Sequence, residues 1–586
     1  MALRTKFTDN LDLNCPLNEH PRPQFMRENW LSLNGQYEYA VTRNKNTFPK
    51  EYDGHITVPF AIESELSGVK RTLQPDERLW YRRLFTVPDS FKGKRVILHF
   101  DAVDWQCHVY INKRPGTIHK GGYSAFSLDI TDLLKDGENE LIVRVFDPSD
   151  KGLQQRGKQT LKSHGFWYTA TSGIWQPVWL EAVETVHIDK IRLTPDFDKG
   201  KVRIQSFIKG AKGDVRISAT VTEKLDGGEV IFSGDISEDD CIEIPDFIPW
   251  SPENPHLYGL SLELYAGDEL KDSVKSYFGI RKFSVGRDGK GLPRLLLNNK
   301  PYFHNGLLDQ GYWPESGLTP PSDEAMIYDI QTIKDLGFNM LRKHIKVEMS
   351  RWYYHCDRIG VLVWQDMPNG GGPLNAFYAG VLPTLQVKID DHNYPIFKRT
   401  DPQNREEYRT ELKEMIDELY NYTSICVWVP FNEGWGQFEA KETGEFVKQY
   451  DPSRIVDHAS GWYDMGGPDL LSVHRYILPV TLPKIKDRPY ALTEFGGYSQ
   501  IIKGHVYDEK KSFGYKMYRS KETLTAAYRK LFEKQIIPLI EKGLSAAVYT
   551  QVSDVEFEVN GIMTYDRRLV KIDENTVKEL NERMRL

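Results

Sequence analysis

Cysteines are scarce, and none of them is spaced as a metal or redox pair. The 586 residues contain five, with no C-x-x-C motif among them: Cys15, Cys107, Cys241, Cys356 and Cys426. Zinc ribbons and thioredoxin-like sites need that close pairing, and disulfide scaffolds need a higher density of cysteine. The sequence therefore excludes these three classes.

Long hydrophobic runs and an excess of positive charge are also missing. No run reaches the roughly 18 apolar residues of a membrane span, and the first residues, MALRTKFTDNLDLNCP, lack the apolar stretch of a signal peptide. With 76 Lys and Arg against 83 Asp and Glu, the net charge of −7 favours neither nucleic acid nor membrane as a partner. We expect a cytoplasmic protein with a neutral small substrate, or a secreted or periplasmic one if a leader is missing from this sequence.

Several catalytic and cofactor motifs are absent as well. The chain has no H-E-x-x-H, no G-x-x-x-x-G-K-[ST], no G-x-G-x-x-G after a strand and no G-x-S-x-G. We therefore assign no metal and no cofactor, although a catalytic triad scattered along the chain stays open.

What is present is a succession of three patterns of strands and helices. Short alternating strands such as RVILHFDAV and ELIVRVFD occupy the first third of the chain, as in a β-sandwich. About a hundred residues of the same pattern follow, the size of an immunoglobulin-like domain. We predict a multidomain protein with a jelly-roll-like β-sandwich at 1–183, an immunoglobulin-like β-sandwich at 184–283 and a third domain at 284–586.

The third domain alternates strands with amphipathic helices. Helical patterns such as DEAMIYDIQTIKDLGF and YRTELKEMIDELYNY lie between apolar strands. Eight such strands in this length predict a (β/α)8 TIM barrel. They are 302–307, 339–344, 361–367, 424–433, 454–461, 470–476, 490–496 and 546–554.

Two glutamates stand at the ends of predicted barrel strands. Glu433 closes the fourth strand in VWVPFNEGWG, and Glu494 closes the seventh in YALTEFGG. The active site of a barrel lies at the carboxyl ends of its strands, so both should face one mouth. Paired carboxylates on either side of a glycosidic bond can act as proton donor and nucleophile.

The order of the three domains, with FNEGWG and TEFGG, resembles glycoside hydrolase family 2, which holds β-galactosidases, β-glucuronidases and β-mannosidases. Further similar segments extend over nearly the whole chain, among them LWYRRLFTVP, TSGIWQPVWLE, GFNMLRKH and DVEFEVNGIMTYDR. The resemblance implies that Glu433 is the acid/base, Glu494 the nucleophile and Asn432 a partner of the sugar 2-hydroxyl. A retaining mechanism would place the two carboxyl groups about 5–5.5 Å apart.

The resemblance also suggests residues around this pair. Arg342 resembles a barrel arginine that would keep Glu494 ionised, and Tyr476 matches a tyrosine near the nucleophile. The family pattern R-x-x-H-x-P is not kept in Arg342-Lys343-His344, which leaves a substrate role for His344 open. Trp435 and Trp462 are expected as stacking platforms at the mouth. Other candidates for the pocket lining are Asp309, Trp313, Asp366, His458, His474, Tyr549, Gln551 and Glu556.

The sugar is the weakest part of the prediction. An Asn-x-Lys element that holds the carboxylate in β-glucuronidases is absent before TYDRR, and DVEFEVNG resembles β-galactosidases, so β-D-galactosidase is the first candidate. The aspartate-rich metal-binding stretch of long galactosidases has no clear counterpart. Mannoside, glucuronide or glucoside specificity, transglycosylation and a non-catalytic carbohydrate-binding protein are the alternatives.

Two further expectations concern the surroundings of the pocket. The long loop at 369–403 would make the enzyme exo-acting if it closes one end of the cleft. The two C-terminal β-domains of the longest relatives are not in this sequence, so an oligomer built on them is not expected, while another homo-oligomer stays open.

Overall fold

The computed structural model describes residues 3–43, 46–373, 375, 377–385, 387–483 and 487–586. Along the chain it contains a β-sandwich, a second smaller β-sandwich and a curled parallel sheet surrounded by helices. Among these residues, no helix is both long and apolar enough to cross a membrane.

The first sandwich consists of two antiparallel sheets that enclose a core of aliphatic and aromatic side chains. The smaller sheet has the strands Trp30–Ser32, Val178–Val183, Arg95–Phe100 and Phe126–Asp129. The larger has Gly54–Val58, Gly35–Arg43, Glu77–Thr86, Glu138–Phe146, Gln106–Ile111 and Arg114–Lys120. Alternation of buried and open positions along these strands is the pattern by which the sequence predicts them.

The second sandwich pairs a three-stranded with a four-stranded antiparallel sheet. The strands of the first sheet are His187–Asp196, Lys201–Lys209 and Asp239–Glu243. Those of the second are Gly227–Ile236, Val215–Lys224, Tyr258–Ala266 and Glu269–Phe278. A small sheet of Phe283–Arg287, Pro293–Leu297 and Lys300–Pro301 leads into the barrel.

The parallel sheet has eight strands, each overlapping one that the sequence predicts. In chain order they are β1 His304–Asp309, β2 Met340–Lys343, β3 Leu362–Asp366, β4 Ile425–Val429, β5 Ile455–Val456, β6 Leu471–Arg475, β7 Tyr490–Gly496 and β8 Leu544–Thr550. Their spatial order is β5-β4-β3-β2-β1-β8-β7-β6, so the sheet curls until β5 and β6 are its two edges.

Side chains connect the two edges of the curled sheet. Ser472 of β6 donates to Asp457, which follows β5, at 2.7 Å, and the backbone N–H of Val456 donates to Asp469 at 2.9 Å. These polar contacts hold the edges together where β5 is too short to form a backbone ladder with β6.

Helices cover the outside of the sheet. The longer ones are Asp323–Asp335, Ser350–Ile359, Pro402–Leu419, Ala440–Tyr450, Lys521–Leu531 and Glu574–Glu582, with short helices at Leu382–Thr384, Tyr394–Phe397 and Ile537–Ile540. A π-turn at Phe532–Ile536 separates the helix Lys521–Leu531 from the short helix Ile537–Ile540. Pro538 is the physical reason, because it lacks an N–H and crowds the preceding turn.

The first sandwich packs directly on the barrel. Tyr123, Tyr168 and Trp175 of the sandwich belong to the same buried apolar cluster as the barrel side chains. The loop at 369–403 also contacts it, since the N–H groups of Gly370 and Gly371 donate to the carbonyls of Arg156 and Leu153. Residues 374, 376 and 386 of that loop lie outside the described residues.

Candidate active site

A cavity of about 630 Å³ opens at the carboxyl ends of β4, β6 and β7. The barrel contributes Glu433, Trp462 and Tyr476 from its loops and His474 from β6 to the lining. This is the end of a parallel barrel at which functional side chains collect, because the loops after the strands converge there.

Glu494 lies in β7 where strand pairing is irregular on both sides. The register shifts between Leu492 and Phe495 against β8, and between Val473 and His474 where β6 meets β7. Such irregularities turn a side chain away from its regular direction. Here they accompany a carboxylate that contacts residues at the ends of two other strands, β2 and β6.

The carboxylate of Glu494 is buried among hydrogen-bond donors. Its side chain is 5% exposed; Arg342 Nη1 donates to Oε1 at 3.1 Å, and the Tyr476 hydroxyl donates to Oε2. Burial alone would raise the pKa of Glu494, but the electrostatic interactions with its basic neighbours, among them His474, His344 and the Arg342 guanidinium, outweigh burial and lower the pKa to about 2. Glu494 is therefore ionised at neutral pH.

Glu433 lies in a turn rather than in a strand. β4 ends at Val429, because Pro430 cannot donate to the ladder, and Glu433 comes four residues later with φ of +54°. Its N–H donates to the carbonyl of Ser460 at 3.0 Å, which holds this left-handed backbone. For a non-glycine residue that conformation costs about 1–3 kcal/mol and is concentrated at functional sites.

His474 lies between the two glutamates. Its Nδ1 is 2.8 Å from Glu433 Oε1 and 3.6 Å from Glu494 Oε2. One carboxylate oxygen of each glutamate and this nitrogen all lie within 4.8 Å of one another. The two carboxylates are thus close enough to act on opposite sides of one bond.

Arg342 holds several of these groups together from beneath the cavity. It is fully buried; its Nε and Nη2 donate to the two oxygens of Asp366, each at 3.0 Å. Nη2 also donates to Asn432 Oδ1 at 2.8 Å, and Nη1 to the carbonyl of Thr493 at 3.1 Å. A guanidinium with this many fixed acceptors orients Glu494 and Asn432 as one unit.

Two further cationic or basic groups lie near Glu494. His344 Nδ1 is 2.9 Å from Asp366 Oδ2, and burial lowers its pKa well below the usual value, so the ring is neutral at neutral pH. Lys158, from the first sandwich, is near enough to lower the pKa of both His344 and Glu494. Among the described residues no carboxylate lies within ion-pair distance of the Lys158 ammonium.

The structure brings only part of the predicted set together. Glu433, Trp462, His474 and Tyr476 line the cavity, while Asn432, Arg342, His344 and Glu494 are joined beneath it. The Trp462 ring lies 6.2 Å from that of His474. Asp366, also predicted, anchors Arg342 and His344.

Other predicted residues lie outside the cavity wall. Trp435 is buried edge-on against Trp167 at 5.2 Å, so its ring is covered rather than open as a platform. Tyr549 is buried in the barrel core, and Asp309 accepts a hydrogen bond from Lys343 at 2.6 Å. Glu556 accepts from the backbone N–H of Thr169 of the first sandwich at 2.9 Å. The remaining candidates also make internal contacts: Trp313 under Arg567, His458 with Asp464, and Gln551 with Asn560.

Sequence reasoning missed the contribution of the first sandwich to the cavity. Arg156, Thr160, His164, Phe166 and Trp167 line it, and Tyr515 joins them from the loop after β7. Tyr515 stacks on Tyr476 with ring centroids 3.8 Å apart. The segment GKQTLKSHGFWYTATSGIW carries this aromatic density, but its position depends on how two domains pack.

The described residues contain two clusters with metal-ligand atoms. One is the exposed Asp390, Asp391 and His392, and the other is Glu433, His474 and Glu494. In the second, the fixed charge of Arg342 lies 3.1 Å from Glu494, which disfavours a divalent cation there. Two close carboxylates at the end of a barrel are instead typical of enzymes that cleave glycosidic bonds.

Comparisons with known families agree with this class. The sugar binding domain of the glycosyl hydrolases family 2 matches residues 20–183, the central family 2 domain matches 186–281, and the family 2 TIM barrel domain matches 291–585. The chain therefore belongs to glycosyl hydrolase family 2. This confirms the resemblance seen in the sequence and the predicted fold class of sandwich, immunoglobulin-like domain and barrel.

The similar proteins are named for activity on two different sugars. A β-galactosidase of Thermoanaerobacter pseudethanolicus is 29% identical over 389 residues, covering 64% of this chain and 47% of the relative. A β-glucuronidase of Bacteroides fragilis is 27% identical over 413 residues, covering 65% of this chain and 54% of the relative. The chain thus spans about half the length of these relatives.

Among solved structures, the β-D-glucuronidase of Dictyoglomus thermophilum superimposes with a TM-score of 0.73 at 18% identity. The match covers 96% of this chain and 98% of that one. At this identity the likeness concerns the fold alone.

Proposed function

We propose that this protein is a retaining exo-β-glycosidase that hydrolyses terminal β-linked sugars through a covalent glycosyl-enzyme. The observation that carries the proposal is the pair of carboxylates, with oxygens within 4.8 Å of each other, of which Glu433 lines the cavity and Glu494 lies beneath it. This is the short separation of retaining enzymes; inverting enzymes need a gap wide enough for a water.

In the first step Glu494 attacks the anomeric carbon while Glu433 protonates the departing oxygen. The ionised state of Glu494, maintained by Arg342, suits it to the role of nucleophile. Glu433 Oε1 contacts His474, and Oε2 has no hydrogen-bond partner within the described part of the chain. That oxygen is available to deliver the proton to the leaving group.

In the second step water replaces the leaving group. Glu433, now a carboxylate, accepts a proton from this water, whose oxygen attacks the anomeric carbon and displaces Glu494. Both displacements invert the anomeric centre, so the product keeps the β configuration. A sugar in place of water would give transglycosylation.

Asn432 and Tyr476 are proposed to position the sugar and the nucleophile. Arg342 occupies the Asn432 carbonyl oxygen, which leaves the amide nitrogen as a donor towards the sugar 2-hydroxyl. Tyr476 donates to Glu494 and contacts Thr550 Oγ1 at 2.9 Å, so its hydroxyl is oriented before substrate arrives. Such preorganisation lowers the barrier because the donors need not rearrange.

A β-D-galactoside is the first candidate substrate. The chain is similar over 389 residues to a β-galactosidase, and its segment before TYDRR lacks the Asn-x-Lys element of β-glucuronidases.

A β-uronide is the second candidate, favoured by Lys158. This ammonium has no carboxylate partner among the described residues and lies near Glu494 and His344. Its Nζ is 5.8 Å from the ring centroids of Phe166 and Tyr168, a partly apolar setting that strengthens an ion pair with a sugar carboxylate. Lys158, which belongs to the first sandwich, would thus bind the sugar carboxylate in place of the missing Asn-x-Lys element.

The test is hydrolysis of p-nitrophenyl β-D-galactoside, glucuronide, galacturonide, mannoside and glucoside by the wild type, Glu433→Gln and Glu494→Gln. Activity on one sugar that both variants lose supports the proposal, and activity that survives Glu494→Gln contradicts it. Lys158→Met separates the two candidates: it should lower kcat/KM for a uronide at least about tenfold and leave a galactoside nearly unchanged. If none of the glycosides is hydrolysed but a sugar still binds, the result would favour a non-catalytic carbohydrate-binding protein.

A further inference from the structure

The cavity above the glutamates has walls of unusual composition for a sugar site. Phe166 and Trp167 form one side, Ala379 and Pro383 another, and Ile477 with its neighbours a third. The accessible surface of these walls is predominantly carbon. A second sugar unit would need hydrogen-bond partners on several sides, because its hydroxyls leave water when it binds.

The apolar character continues outside the cavity onto its rim. Ile477 is 76% exposed and Leu478 48%, directly after Tyr476. On the loop that contributes Ala379 and Pro383 to the cavity, Phe377 is 52% exposed and Val381 47%. Large apolar side chains on two loops that border one cavity are a feature of ligand-binding grooves, whereas scattered single ones are ordinary.

Some polar groups of these walls already have partners within the protein, although Arg156 Nε is buried without one among the described residues. Lys151 pairs with Asp150 at 3.4 Å, and Arg156 Nη1 donates to the carbonyl of Gln159 at 2.9 Å. The Arg156 guanidinium also lies 5.6 Å from the ring centroid of Trp167, as in a cation–π contact. These groups therefore leave few donors free for a second sugar.

The position of Glu433 decides which part of the substrate this cavity would receive. Glu433 lines the cavity, whereas Glu494 lies beneath it. The acid must touch the departing oxygen, and the nucleophile must reach the opposite face of the anomeric carbon. The space above Glu433 is consequently on the leaving-group side.

We propose that this cavity is the aglycone site and that it selects an apolar, ring-containing aglycone over a second sugar. The proposal rests on the glycosidase function proposed above and names the substrate class of that site. Phe166 and Trp167 would contact the faces or edges of the aglycone rings, and Ile477 and Leu478 would cover an apolar substituent at the mouth.

The experiment compares two aglycones of matched acidity on the same sugar. The probes are the p-methylphenyl and p-hexylphenyl β-glycosides of galactose and of glucuronic acid, whose phenols leave equally well but differ in apolar length. Each methylene that the site buries should raise kcat/KM roughly fourfold. We expect the hexyl compound to exceed the methyl compound at least tenfold in the wild type.

The variants locate that preference at the rim. Ile477→Ser with Leu478→Ser should reduce the hexyl-to-methyl ratio at least fivefold, and these exposed positions can be changed without opening the core. Val230→Ser, at an apolar residue 54% exposed in the second sandwich, is the matched control and should keep the wild-type ratio.

Each outcome has a separate meaning. A ratio near one in the wild type, or faster cleavage of the corresponding disaccharide than of the hexyl compound, overturns the aglycone proposal while the glycosidase function stands. Failure to cleave any of the probes contradicts the function itself. If the double variant keeps the ratio but changes the sedimentation coefficient from oligomer to monomer, the rim is a contact between copies and the proposal is wrong.

Discussion

His474 Nδ1 lies 2.8 Å from Glu433 and 3.6 Å from Glu494, yet the surroundings of the two glutamates differ. The Glu494 side chain is 5% exposed and receives hydrogen bonds from Arg342 and Tyr476. The Glu433 side chain is 27% exposed, contacts His474 and borders a cavity with apolar walls. One carboxylate is buried and held by hydrogen-bond donors, whereas the other is partly open to the cavity.

In the proposed mechanism, this difference in surroundings gives two identical side chains different roles. A nucleophile benefits from a lowered pKa and a rigid position, and an acid/base needs access to the leaving oxygen and later to water. The positions follow from local backbone irregularities, a shifted register at Glu494 and a left-handed turn at Glu433.

Removal of the fixed carboxylate should have the largest effect. In Glu494→Gln we expect kcat to fall by at least about 10⁴-fold on every substrate, because no other group near the anomeric carbon can form the covalent bond. Steady-state hydrolysis of an aryl glycoside measures this, with circular dichroism to verify folding. Residual activity above one hundredth of the wild type would contradict the role.

Removal of the proton donor Glu433 should lower activity less, by an amount that depends on the leaving group. In Glu433→Gln we expect kcat/KM to fall roughly 10²- to 10⁴-fold for a poor leaving group such as methanol. A dinitrophenol leaves without a proton and should be affected much less. Equal losses on both substrates would mean that Glu433 does not act as the acid.

Replacement of the buried Arg342 should reduce the difference between the surroundings of the two glutamates. Arg342→Gln removes a positive charge beside Glu494, so the pKa of Glu494 should rise from about 2 by about one unit or more. Glu494 is active when ionised, so the acidic limb of kcat/KM moves to higher pH. The same ionised form stabilises the fold above its unfolded-state pKa, and this stability is lost as pH falls through the folded-state value.

The pH profile of kcat/KM tests this shift, and Arg342→Lys is the matched control because it retains the charge without the fork of donors. The lysine variant should keep an acidic limb closer to that of the wild type. An acidic limb that is the same in both variants and the wild type would contradict the role of Arg342.

The smallest expected effect comes from one hydrogen bond at the buried site. Tyr476→Phe removes the hydroxyl that donates to Glu494, and a hydrogen bond to a charged group is worth about 1.5–3 kcal/mol. We expect kcat to fall roughly 10- to 100-fold, with less change in KM. If KM rises while kcat is unchanged, Tyr476 acts on the sugar rather than on the nucleophile.

The sequence predicted the architecture and the central pair because both depend on local patterns. Apolar strands alternating with amphipathic helices define the barrel, and a carboxylate at the end of a strand must face its mouth. The exact ends were less predictable: β4 stops at Pro430, so Glu433 lies in a turn instead of closing the strand.

Contacts between domains were beyond the reach of sequence reasoning. Trp435 has the loop position of a stacking platform, but Trp167 of the sandwich covers it. Phe166 and Lys158 approach the site only because two domains pack together, and nothing in their local pattern signals this. The position of His474 between the glutamates likewise depends on the paired register of β6 and β7.

The most direct test of the central claim is the configuration of the first product. Proton NMR during the first minutes of hydrolysis of the best aryl β-glycoside distinguishes the two anomers before they equilibrate. Two carboxylates with oxygens within 4.8 Å predict that the β-anomer appears first. Initial release of the α-anomer would show inversion and contradict the assignment of Glu494 as nucleophile.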